Sequence, residues 1–367
     1  MLLDSNDLEV LSSVGVYLDE DARDGAYVVC DHDQAYLRAA SQGYELLPIA
    51  EALQRYAWLE ERYYFHAVPK SWNDMVSRCA EQAPVLGFFL HVKQGVHVTL
   101  PVQAAMYMKR DAIEQVLHNV VILEEDSQLH LITGCLAGHE SHAGTHIAVE
   151  EVYIGKRAKL INTMVHTWGD GQKVYPCTGV MVDEDGRYES NYVSLRPANV
   201  LVSNPQTWLF GKRASAKYLT VVLASPGSTI ETGGTVYMDA QETSAELDHR
   251  GVCTGGILKQ GGLLVGNAAC KAHVDCAGML LAHGEGGYIE SIPGLRAKHA
   301  DARMSHEASI GRIAPQEVAY LMSKGMEERE AISLLIRGFL GTDIGGLGPM
   351  LEQQIASIVE VAGHGED

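Results

Sequence analysis

From about Pro84 onward the chain runs in short alternating stretches of apolar and polar residues, rich in valine, threonine and tyrosine, with glycine recurring between them. Alternation of period two is the mark of strands that bury one face. His97–Leu100, Val120–Leu123, His130–Thr133, Tyr188–Ser194 and Lys217–Leu223 are examples. From residue 150 a loose repeat appears: YIGKRAKLINT, DEDGRYESNYV, LFGKRASAKYL, MDAQETSAELD, LVGNAACKAHV and SIPGLRAKHAD. Its corners fall at Gly155, Gly186, Gly211, Gln241, Gly266 and Gly294, in steps of 31, 25, 30, 25 and 28 residues. A repeat of roughly 20–50 residues made of strand and corner, with no helix between, predicts a solenoid. We therefore expect a mainly β chain whose core, residues 79–303, is a right-handed parallel β-helix. A β-sandwich is the competing architecture, but Asn-Gly hairpin signals are missing between these strands.

Both flanks read as helical. Over residues 1–78, Ala35–Ala40 and Ile49–Tyr64 space apolar residues three and four apart, as in Ile49, Leu53, Tyr56 and Leu59. Residues 304–367 open with a polar Ser-His-Glu-Ala-Ser-Ile-Gly turn and continue into two short amphipathic helices. Pro315 suits the first helical position and Gly325 suits a stop. In the second helix Ile332, Leu335, Ile336 and Phe339 share a face, a stripe that serves either as intramolecular core or as a partner surface. The pair is also expected to cap an end of the solenoid.

Charge narrows the function classes. The net charge is −19, from 28 basic and 47 acidic residues, and the acids gather at the ends: 14 against 6 bases in residues 1–78, 11 against 5 in residues 301–367. No basic stripe is present for phosphates, which argues against nucleic acid. No apolar run approaches the ~18 residues of a membrane span, and the acidic N-terminus does not resemble a signal peptide, so a cytoplasmic protein is expected. Seven cysteines without a Cys-x-x-Cys pair read as reduced thiols rather than a disulfide framework or zinc ribbon. No Walker motif occurs, so the chain has no ATP site of its own.

Three segments carry candidate chemistry. In Cys270-Lys-Ala-His-Val-Asp-Cys276, alternation puts Ala272, Val274 and Cys276 on one face and Lys271, His273 and Asp275 on the other. Cys276 reads there either as a small buried hydrophobe or as a reactive thiol. His306 and Glu307, in the Ser-His-Glu-Ala-Ser-Ile-Gly turn, read either as metal ligands or as caps of the following helix. His139-Glu-Ser-His142-Ala-Gly-Thr-His146 lacks the His-Glu-x-x-His spacing, and its glycines favour a solvated loop over a metal site.

Residues 304–340, MSHEASIGRIAPQEVAYLMSKGMEEREAISLLIRGFL, resemble the C-terminal signature of the SufB/SufD family, the scaffold subunits of the SUF iron–sulfur assembly machinery. HVDCAGMLL resembles the SufB stretch whose cysteine is essential for cluster assembly, and LITGC resembles the segment whose cysteine receives sulfur. MVHTW resembles the SufB strand carrying Gln-Asn-Trp between those cysteines; Trp168 is kept and His166 replaces the glutamine. His-Glu-Ala is the SufB version of a motif that SufD proteins usually carry as His-Gly-Ala. The resemblance implies a SufB-like scaffold in a short, single-scaffold form rather than an enzyme. Cys135 would accept sulfur from a donor protein, with His166 and Trp168 on the transfer path. Cys276, His306 and Glu307 would hold a transient iron–sulfur cluster, with Cys253 or Cys270 as alternative ligands. The C-terminal helices would dock a SufC-like ABC-type ATPase, and two copies would pair as a homodimer.

Two other functions share the fold. A β-helix carbohydrate-active enzyme needs clustered carboxylates on one outer face, and only Asp183, Glu184 and Asp185 are dense, at a corner. A capped solenoid that binds proteins through its surface needs no reactive thiol, and thiol labelling separates it from the scaffold.

Overall fold

The computed structural model describes residues 3–18, 23–39, 42–281 and 286–341. The chain begins with α1 (Ser5–Ser12), whose capping box pairs Asp4 with the Asp7 backbone, then β1 (Gly25–Cys30), β2 (Asp33–Ala39) and β3 (Tyr44–Pro48). Short helices α2 (Ile49–Arg55), α3 (Ala57–Arg62) and α4 (Asp74–Ala80) follow. The helical reading therefore holds at Ile49–Arg62, where Tyr56 turns extended and splits one expected helix into two. It fails at Ala35–Ala40, which is strand β2 as far as Ala39. There the apolar β1 recruits β2 as an antiparallel partner, and pairing overrides the local spacing.

From β4 onward the chain winds a parallel solenoid of about eight turns. One wall stacks β5 (Val102–Met108), β7 (Gln128–Ala137), β9 (Lys159–Thr167), β11 (Arg187–Arg196), β14 (Ser215–Ala224), β17 (Thr243–Cys253), β19 (Cys270–Leu280) and β21 (Ala302–Gly311). The facing wall begins with β4 (Phe88–Val92), β6 (Ile113–Leu123), β8 (Gly144–Ile154) and β10 (Gln172–Val182). It continues with the half-strands β12 (Val200–Ser203), β13 (Gln206–Leu209), β15 (Thr229–Thr232) and β16 (Thr235–Met238), then β18 (Ile257–Gly266) and β20 (Tyr288–Ala297). Successive rungs are parallel and mostly in register, so like positions form inward and outward rows.

Four expected strands lie within β6, β7, β11 and β14, but His97–Leu100 is a loop holding a single bridge from His97 to Gln128. The corners at Gly155, Gly186, Gly211, Gln241 and Gly266 fall at strand ends, whereas Gly294 lies inside β20 and the turn follows at residues 298–301. The regular element of the corner is a charged residue in the left-handed region: Asp126, Arg157, Asp185, Arg213 and Glu242 all have φ between 56° and 63°. Each donates its amide to the next corner's carbonyl (Asp126 to Lys156, Arg157 to Glu184, Asp185 to Lys212, Arg213 to Gln241, Glu242 to Ala269), which fixes the winding.

Inward apolar residues such as Leu117, Val152, Leu160, Val180 and Leu258 form the main core. The outer face of the second wall is covered by α2, α3 and α4, through Ile49, Leu59, Val76 and Cys79. The outer face of the first wall is covered by α1 near one end. Near the other it is covered by α6 (Glu328–Leu340), which follows α5 (Pro315–Ser323). Ile336 and Leu340 of α6 are buried with Val221, Leu223 and Val252, and Ile332 and Phe339 pack beside them. The amphipathic stripe is thus spent on this chain. The pair lies on the flank of the solenoid rather than over its end, because outward valines and leucines offer more apolar area than the polar final coil.

At the N-terminal end the antiparallel β2 and β3 close the two sheets. At the other end β20 and β21 are terminal strands among the described residues. The part of the expected C-terminal helical region beyond residue 341 lies outside the described residues.

Candidate functional site

Cys135 is inward on β7 and pairs in register with His166 on the next rung, β9. Both are buried, at 3% and 0% exposure. His166 Nδ1 meets the Tyr192 hydroxyl at 2.8 Å, and its ring lies 5.5 Å from that of Trp168. Trp168 touches a second buried imidazole, His146, at 5.0 Å between centroids, and His146 Nδ1 meets the Gln115 amide oxygen at 3.0 Å. Among the described residues His166 Nε2, His146 Nε2 and Trp168 Nε1 have no hydrogen-bond partner. Burial holds His146 down at about 3 and His166 well below the ordinary imidazole range, so both rings are neutral. Burial raises the Cys135 thiol, and the nearby Glu150 carboxylate raises it further.

Glu150 points inward from β8. Its side chain accepts from Asn162 Nδ2 at 3.2 Å, Oε1 is unpartnered, and burial lifts its carboxyl to about 7. A cavity of about 30 Å³ lies among Glu150, Asn162, Tyr188, Tyr192, Tyr218 and Thr220. The lumen thus carries polar side chains along the middle coils among its apolar ones, although polar groups are ordinarily the exception in a buried core.

Trp168 also forms part of the wall of a surface cleft of about 550 Å³, with His139, His142, Asp170 and Arg196. The histidine-rich segment divides here: His139 and His142 are exposed in the loop at the cleft, and His146 is inside β8. The loop reading holds for the first two and not for the third.

Cys276 is inward on β19, as alternation predicts, between buried Val274 and the buried Ala277–Gly278 pair. Burial, aided by the carboxylates of Asp275 and Asp248, raises its thiol to about 12. Ala308 of β21 pairs with it on the open side and His249 of β17 on the inner side. The segment expected as a turn at Ser305–Gly311 is strand β21. The helix that follows is capped at Ala314 without a side chain, so His306 and Glu307 do not cap it.

His306 pairs with Val274 and so joins the inward row, whereas Glu307 pairs with Asp275 on the outward row. Both are exposed, on the terminal strand of the wall among the described residues. Among the described residues no group of three His, Cys, Asp or Glu side chains is placed to hold a metal ion. Cys253 Sγ donates to the Gly256 carbonyl at 3.2 Å. Cys270 begins β19, six residues before Cys276, which is about 20 Å along a strand.

Sequence reasoning missed Tyr192, Glu150 and His249. Their signal was available as polar residues at inward positions of strands that are otherwise apolar, His249 following Leu247 by two being the plainest case.

Comparison with known proteins assigns the family. Residues 106–339 match the family model described as SUF system FeS cluster assembly, SufBD core domain. An iron–sulfur cluster assembly SufBD family protein of Archaeoglobus fulgidus is 35% identical over 357 residues, covering 97% of this chain and 95% of the relative. Its counterpart in Methanothermobacter thermautotrophicus is 32% identical, with 96% and 87% covered, and one in Pyrococcus horikoshii is 26% identical, with 89% and 73% covered. Among the described residues no helix is long and apolar enough to cross a membrane.

Proposed function

Since this chain belongs to the SufBD family of iron–sulfur cluster assembly proteins, we propose that it is a sulfur- and iron-accepting scaffold on which a nascent cluster is built. The observation that carries the reading is the polar lumen. Cys135, His166 and Tyr192 are linked by register and a 2.8 Å contact, and Tyr192, Thr220, His249 and Cys276 follow one another on a single inward row.

Sulfur enters at the cleft beside Trp168. The Cys135 thiolate attacks the outer sulfur of a donor persulfide; an S–S bond forms on Cys135, the donor's S–S bond breaks, and the donor leaves as thiolate. His166 and Trp168 present polar edges to the transferred sulfur. A thiol raised by burial needs its proton removed, and Glu150, poised near neutrality, is the buried acceptor at hand.

At the far end Cys276, His306 and Glu307 bind the cluster. One copy offers only three donors, and they stand on opposite faces of the last rungs, whereas a small cluster takes about four protein ligands. Pairing of two copies at the open end, where Tyr288, Ile292 and Ile310 are exposed beside terminal strands, brings two ligand sets together as a homodimer. A SufC-like ATPase docks on the exposed side of α5 and α6, at Tyr320, Met322 and Leu334, and hydrolyses the ATP. The setting is the cytoplasm, where thiols stay reduced.

The test is anaerobic reconstitution with ferrous iron and sulfide, read by absorbance and Mössbauer spectra. Wild type is expected to hold a cluster that Cys276→Ala loses while remaining folded. Equal iron in both proteins would leave a passive solenoid.

A further inference from the structure

His249 sits directly beneath Cys276. The two are partners in register on neighbouring rungs, β17 and β19. Neighbouring rungs are about 4.8 Å apart, and alternation points both side chains into the lumen, in line with the buried Leu247 and Val274. The charged neighbours Asp248, Arg250 and Asp275 occupy the outward row, where Arg250 ties Asp248 at 2.9 Å and Asp275 at 2.8 Å. They leave the imidazole without a charge partner inside.

His249 is 1% exposed, yet neither Nδ1 nor Nε2 has a hydrogen-bond partner among the described residues. His118 and His146, equally buried, each satisfy one nitrogen through a neighbouring side chain. Leaving a buried polar group unsatisfied is costly, and an aliphatic residue would fill this position without that cost. Ala308, the residue paired with Cys276 on the other side, carries only a methyl group there.

We propose that His249 is an imidazole ligand of the iron held at Cys276, presented from inside the solenoid; the assignment rests on the scaffold reading above. Iron accepts thiolate and imidazole together, and side chains one rung apart reach a common ion. As ferrous iron binds, Cys276 gives up its thiol proton to solvent water displaced with the incoming ion and forms the Fe–S bond. His249 gives a ring lone pair and keeps its N–H on the other nitrogen, and the iron stays ferrous. His306 lies on the last rung in register with Val274 rather than Cys276, so it would join this pair only as the site closes on iron, and Glu307 remains on the outward row.

The full chain, uniformly labelled with ¹⁵N-histidine, is reconstituted with ferrous iron and sulfide, reduced, and examined by pulsed EPR for nitrogen coupling. Iron loss to a chelator is timed in parallel. The proteins are wild type, Cys276→Ser, His306→Gln, His249→Leu and His249→Cys. His249→Leu, which satisfies packing alone, is expected to lose one histidine coupling that His306→Gln retains, and to release iron about tenfold faster or more. His249→Cys is expected to lose the same coupling while holding its iron near the wild-type rate. A His249→Leu protein with wild-type coupling and wild-type iron retention overturns the assignment while Cys276→Ser, losing the cluster, leaves the scaffold reading standing. A cluster that survives Cys276→Ser removes the scaffold reading itself and this assignment with it.

Discussion

The outer face of the second wall and the lumen both bury polar groups, and they treat them differently. Glu151 and Glu150 are consecutive on β8 and show the contrast. Glu151 faces outward and accepts the amides of Phe65 (2.6 Å), Ala67 (2.7 Å) and Val68 (3.0 Å) together with His118 Nε2 (2.8 Å). Glu150 faces inward with one amide partner and a bare oxygen. In the lumen that Glu150 faces, Thr133, His166, Trp168, Ser194 and His249 each leave a polar atom without a partner among the described residues, whereas on the outer face beside Glu151 only the Nδ1 of His118 does so. A group with a full set of bonds holds the fold together. A file of groups with unmet bonds detracts from stability, and the transfer path proposed above would give it a use.

The largest effect expected from this contrast is at Glu151. Glu151→Ala removes the acceptor of three backbone amides and the partner of a buried imidazole, and it releases the segment at residues 65–68 from β8. We expect a loss of about 3–5 kcal/mol in denaturant unfolding. A loss no larger than that of an ordinary surface substitution would break the distinction between the two faces.

The inner glutamate should respond with the opposite sign. Burial raises Glu150 from 4.5 to about 7. Between those values the folded state binds more protons than the unfolded one, so stability falls as pH rises from 4.5 to about 7 and stays reduced above. The shift corresponds to about 3 kcal/mol. Glu150→Gln keeps an acceptor for Asn162 and has no charge to bury. It is expected to flatten this pH dependence and, above pH 7, to unfold at higher denaturant than wild type. Parallel pH profiles for the two proteins would show that Glu150 is not held protonated by its site.

These responses mark what was legible beforehand. The solenoid was, because corner spacing and period-two alternation are properties of each coil alone, and Cys276 fell on the inward face for the same reason. The strand identity of residues 304–311 was not. Inward positions of a last rung have no coil above them, so polar residues are tolerated there and the apolar alternation disappears. Nor was the alignment of His249 with Cys276, 27 residues later, since it depends on the lengths of the corners between β17 and β19. Glycine marked most corners, but at five corners the left-handed residue is charged, a choice that goes with cross-coil pairing rather than with local preference.

That pairing gives the smallest expected effect. Arg157 bridges Asp126 at 2.7 Å and also Glu125, and Arg213 bridges Asp185 at 2.6 Å and Glu184 at 3.2 Å. By partner count these guanidiniums rival Glu151, but they stand in solvent, where water and salt replace a lost partner. Arg213→Ala should leave the unfolding midpoint unchanged within measurement error. Arg213→Gly should unfold at slightly higher denaturant than the alanine variant, because φ is +61° and glycine adopts that conformation without strain. A midpoint for Arg213→Ala approaching that of Glu151→Ala would mean that bond number, rather than burial, sets the value of a polar contact here. The division between outer face and lumen would then have to be redrawn on that basis.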